Sequence, residues 1–137
     1  MTVSLDQLIA KHHESLVDGI VKDAIRQIPA YGQAPLQKTV DRVERFLDAL
    51  AESIACNDPD VLEEYLVGVA QERKQEGYAI IELHAIVQLA EEHLQVAIQE
   101  DVSDTVERNG LLALLQAVMG AARMVLSVRY VLSARAL

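Results

Sequence analysis

The chain is expected to fold as an all-α protein of five or six helices, a globin-like helical bundle closed by a long C-terminal helix. Apolar residues recur at three- and four-residue steps through almost its whole length, the spacing of one face of a helix. No stretch alternates apolar and polar residues as a half-buried strand would. Composition agrees: 51% of the 137 residues are hydrophobic while aromatics make up only 4%, with no Trp and one Phe. The apolar content is therefore Leu, Ile, Val and Ala, which suits helix packing and lines aromatic ligand pockets poorly.

Ser4 followed by Gln7 resembles a capping box, and Leu5, Leu8, Ile9, Leu16, Ile20, Ala24 and Ile28 hold helical spacing up to Pro29. The first helix is thus expected from about Ser4 to Ile28, with Pro29, Gly32 and Pro35 forming a short, stiff connection. From Leu36 the pattern resumes through Val40, Val43, Phe46, Leu47, Leu50 and Ile54 and stops at Asn57-Asp58-Pro59, where Asp58 can cap and Pro59 takes the first helical position. The third helix carries Val61, Leu62, Tyr65, Leu66, Val69 and Ala70 and ends at Gly77, a natural left-handed terminator. A fourth, with Ile80, Leu83, Val87, Leu94 and Ile98, closes at Asp101 to Ser103. No repeat, low-complexity tract or flexible linker divides the chain, so 1–137 reads as one domain, long enough for a core without disulfides or a structural metal.

The last helix, Ser103 to Leu137, is the most informative segment. Leu111, Leu114, Leu115, Val118, Met119, Ala122, Val125, Leu126, Val128, Leu132 and Leu137 form a stripe that Leu112, Ala121 and Val131 widen beyond a single seam. One face can pack on the domain, and the other remains for a partner. A homodimer contact through Leu111, Leu114, Leu115, Val118, Ala122 and Val125 is the expectation. Gln116, Arg123 and Arg129 interrupt the run short of the roughly 20 clean apolar residues of a membrane span, so no membrane insertion is expected.

The net charge of −9 argues against nucleic acid and anionic membrane surfaces, which demand clustered Lys and Arg. Met1 to Asp6 lacks the basic and apolar blocks of a secretory signal, which predicts a cytoplasmic protein. The lone Cys56 has no bridging partner and reads as a small core residue.

Four histidines invite a metal, haem or phosphotransfer reading. His84 and His93, nine residues apart on one helix, point to opposite sides and cannot share an ion. No Glu is followed three residues later by His, which removes the di-iron bundle signature. No metal is expected. Haem needs a single axial His, and His84, on the stripe with Ile80 and Val87, is the candidate ligand for haem or another small apolar molecule. His13-Glu14 is similar to the phosphoacceptor dyad of histidine-kinase dimerisation helices, but Val17 replaces a polar residue there. Glu63, Glu64, Glu72, Glu76, Glu91, Glu92, Glu100 and Asp101 read as solvated faces. With no nucleophile, glycine-rich loop or inward carboxylate pair, the residues describe a helical interaction module rather than an enzyme.

The order Ile28-Pro29-Ala30-Tyr31, then Asp58-Pro59-Asp60 with Leu62 and Tyr65, then Arg73-Lys74-Gln75-Glu76-Gly77-Tyr78 opening an apolar helix resembles the N-terminal sensor domain of the bacterial stressosome co-antagonists, the RsbR-type proteins. It spans roughly Leu8 to Val131 and rests on spacing, Tyr31, Arg73 and Gly77 more than on any catalytic signature. The resemblance implies a globin-like fold that usually holds no haem, dimerises through its terminal helices and passes a stress signal along the last helix to a phosphorylatable STAS domain. The sequence here stops at Leu137, where the resemblance would place a linker and a STAS domain: either it is part of a longer chain, or it stands alone and its output passes through a STAS-domain protein or another signalling partner.

Overall fold

The computed structural model describes residues 3–135, and every regular element among them is helical. They are α1 (Leu5–Lys11), α2 (His13–Gln27), α3 (Pro29–Gln33), α4 (Leu36–Ala55), α5 (Pro59–Gln75), α6 (Ile80–Asp101) and α7 (Thr105–Arg135). The expected first helix is broken in two: His12, at φ −103° and ψ 12°, leaves helical geometry and turns its ring towards Asp101 at the end of α6. No Pro or Gly marks that break. The stiff connection after Ile28 folds as the short α3, with Pro29 at its start, and α7 begins at Thr105 rather than Ser103. Leu137, assigned to the apolar stripe, lies outside the described residues.

Each helix limit has a local cause. Asp58 accepts from the backbone N–H of Asp60 at 3.0 Å, capping α5 ahead of Pro59. An Asp58→Ala variant is expected to lose about 1 kcal/mol of stability, read in urea melts as a lower midpoint with an unchanged slope. Gly77 closes the same helix with φ +92°. Its N–H donates to the Lys74 carbonyl, and that of Tyr78 to the Arg73 carbonyl, the pairing of a Schellman motif. Asn57, at φ +51°, repeats that motif at the end of α4 through Ser53 and Ile54. At the other end of the chain, Asp104 accepts from Glu107 N–H at 2.9 Å, while Glu107 accepts from the Val3 N–H at 2.7 Å and anchors the N-terminal segment.

Five helices close a ring. α2 packs on α4 and α6, α4 on α5, and α7 lies against α5 and α6, while α1 covers α4 beside α2 and α6. Gly19 lets α2 and α6 approach closely, because a Cβ there would stand 2.7 Å from the His93 ring. Inside the ring the buried apolar side chains form one continuous cluster, with Ile20, Leu47, Leu50, Leu83, Leu94 and Leu115 wholly enclosed. Two neighbours cover only part of α7, and the rest of its surface faces away from the ring.

Candidate functional site

A helix advances about 100° per residue, so α7 can be divided by direction. Leu111, Leu115, Met119, Ala122 and Leu126 are buried against the ring. About 150° away by the same geometry lie Val106, Gly110, Ala113, Leu114, Ala117, Gly120, Ala121, Met124, Val128, Val131 and Leu132, all exposed and none polar. Among the described residues, six of the eleven exposed large hydrophobic side chains belong to this face, so exposed apolar surface is concentrated there rather than scattered. A Cβ built on Gly110 or Gly120 meets nothing within 4 Å, although each glycine weakens a helix interior by about 1 kcal/mol relative to Ala.

This placement corrects the expected dimer residues. Leu111, Leu115 and Ala122 are enclosed by their own chain and are not available to a partner in this fold. Val118 and Val125 are half-buried and line a groove of about 370 Å³ with Leu62, Leu66 and Pro59. Only Leu114, 42% exposed, belongs to the open face. The expected stripe falls between two apolar faces, one turned inwards and one outwards. By length and composition Thr105–Ser133 could cross a membrane. Its inner side, however, is committed to the ring, and Arg123 pairs at 2.8 Å with the nearly buried Glu91 of α6.

A second constellation, missed in the sequence, lies at the centre of the ring. Tyr31 of α3, Arg42 of α4, and Tyr65 and Arg73 of α5 converge on a cavity of about 40 Å³ whose remaining wall is apolar. Arg42 Nη2 donates to Glu76 at 2.6 and 2.7 Å, and its Nη1 donates to the Tyr78 hydroxyl at 3.2 Å. Arg73 Nη1 donates to Glu72 at 2.7 Å. Tyr31 meets the Tyr78 ring edge-on at 5.1 Å. The Gly77 turn places Tyr78, whose carbonyl accepts from the Tyr130 hydroxyl of α7 at 2.8 Å, and Lys74 donates to the Tyr130 carbonyl at 2.9 Å. Tyr31, from another part of the chain, thus meets Arg73 and Gly77 in one hub that touches α7. Only the residue types hinted at it, since Arg42 carried no motif signal.

Burial pushes the Tyr31 phenol well up and the Tyr65 phenol up, each against the opposing pull of Arg73. For Glu76, burial also acts upwards, but hydrogen bonds from Arg42 and Lys38 outweigh it and hold the carboxyl below the usual range. A carboxyl depressed in the folded state contributes stability above its unfolded pKa and loses it as pH falls through the folded value. Glu76→Gln should therefore lower stability by about 1–2 kcal/mol at pH 7. The gap from the parent should shrink progressively in melts taken below about pH 4.5.

The histidines are dispersed. His12 lies 2.7 Å from Asp101, His13 3.3 Å from Asp48, and His93 2.7 Å from Asp23, each tying two helices together. His84 is half-buried with Nε2 2.8 Å from Ser127 Oγ on α7, and it does not line the central cavity. A haem iron ligated by His84 Nε2 would compete with that contact. Among the described residues no group of three or more His, Cys, Asp or Glu is placed to hold a metal ion. Cys56, expected in the core, is exposed at the C-cap of α4.

No protein-family model, curated protein or solved structure matches the chain.

Proposed function

We propose that this chain is a non-catalytic, cytoplasmic signalling domain that acts as a homodimer, the outward face of α7 pairing with the same face of a second copy. The observation that carries the reading is a face of eleven exposed apolar residues from Val106 to Leu132, with no polar side chain among those described on it, on a chain of net charge −9. In a two-fold contact each side chain near the axis meets its own copy, so any charge there would face its like. An acidic protein that pairs with itself needs such a neutral patch, whereas a face for a basic partner would keep acidic residues. Small residues, Gly110, Ala113, Ala117 and Gly120, allow two helices to approach closely, and Leu114, Met124 and Val128 supply bulk beside them.

The relay is short. Tyr130 and Lys74 join the C-terminal half of α7 to the arginine hub, so a change at the hub would bias how two copies of α7 pack, as small shifts do between bistable interfaces. The resemblance to stressosome RsbR-type sensor domains extends the proposal to stress sensing, with output to a STAS-domain protein. Sedimentation velocity tests the pairing: a dimer mass is expected in the micromolar range, and a single-subunit mass at every concentration would reject it.

A further inference from the structure

Arg73 is the least satisfied charge in the protein's interior. Its side chain is 6% exposed, and of five N–H donors one is used, Nη1 towards Glu72, with Glu76 a more distant 3.6 Å from the same nitrogen. The other donors have no acceptor among the described residues, and the side chain lines the central cavity. These donors are not sealed among apolar atoms, so an acceptor held in the cavity can reach them, and a charged acceptor gains most from a cationic donor. By the same measure a water needs about 10–15 Å³, so the cavity's roughly 40 Å³ takes a molecule of a few non-hydrogen atoms. Its wall combines cationic and phenolic side chains with apolar ones, Ile20, Val43, Phe46, Leu83 and Val87 among them.

We propose that this cavity is a binding site for a short-chain monocarboxylate of two or three carbons, its carboxylate accepting from Arg73 and its tail lying among the apolar side chains. Phosphate or sulfate would turn further charged oxygens towards the apolar side chains, where a short carboxylic acid presents a hydrocarbon tail. Arg42 lines both the cavity and an open surface groove that also includes Lys38, Glu76 and Tyr78, so we infer entry past its side chain. Parting the Arg42–Glu76 pair would join the two, and Lys38 at the groove attracts an anion. The site lies within one chain, so it stands or falls separately from the pairing of α7.

The test uses the full chain titrated with acetate and propionate, following the methyl resonances of Val43 and Val87 by NMR together with the melting temperature. Saturable shifts of both methyls and a rise in melting temperature are expected. Propionamide and chloride should give neither, and Arg73→Gln should weaken binding at least tenfold. Should that variant fail to fold, Val43→Ile, which adds one methyl to the wall and keeps the charge, should weaken propionate at least fivefold more than acetate. Absence of saturable shifts with either acid overturns the proposal. So do equal effects from propionamide, which would remove the role of the carboxylate, and equal effects from chloride, which would leave an adventitious ion only.

Discussion

Leu115→Ala is expected to lower the free energy of unfolding by about 3–4 kcal/mol and, on the proposed pairing, to leave the association of folded molecules within about threefold of the parent. Leu115 is wholly enclosed on the side of α7 that faces the ring, so truncation removes transfer energy and leaves a cavity that a close-packed neighbourhood refills only in part. Urea melts read the first effect at one fixed protein concentration, because association itself adds apparent stability. Sedimentation of the folded variant reads the second. A variant that remained as stable as the parent but no longer paired would return Leu115 to the interface and reverse the assignment of the two faces.

Met124→Glu has the opposite profile. Met124 is 69% exposed in the single chain, and an exposed helical position away from caps and partners tolerates substitution within about 0.5 kcal/mol. In the proposed two-fold pair the new carboxylate is buried in the contact against apolar side chains, an uncompensated charge worth several kcal/mol. Association should weaken by a factor on the order of 100 to 1,000, leaving a folded single subunit with unchanged helical circular dichroism. Retention of the dimer mass would place the contact on another surface. The outward position is a cleaner probe than Val118, which is half-buried beside Leu62 and the groove between α5 and α7, so that a charge there would disturb folding as well as pairing.

The two variants also show where sequence periodicity stops being informative. α7 is apolar over most of its circumference, and a three- and four-residue rhythm then fits several overlapping stripes equally well. The stripe chosen from spacing, Leu111 to Val125, lies between the two real faces and draws residues from both. By contrast, α4 has polar and apolar sides that differ sharply, and Val43, Phe46, Leu47 and Leu50 are buried as the pattern requires. Cys56 was misplaced for a related reason: it follows the last turn of α4, where the stripe no longer applies, and its chemistry gives no direction of its own.

Helix type, order and most boundaries were legible before any coordinates, because they depend on interactions within four or five residues. Pro59 and Asp58 start α5, and Gly77 ends it by accepting a positive φ. The His12 break was not legible, since it is held by Asp101, 89 residues away. Nor was the arginine hub, which exists because α3, α4, α5 and the turn before α6 arrive at one point. Backbone hydrogen bonds and steric limits act along the chain and leave a readable trace in adjacent residues. The choice of an inward face, and the gathering of Tyr31, Arg42, Tyr65 and Arg73 around one cavity, depend on which helices become neighbours, a relation between residues tens of positions apart that no local pattern encodes.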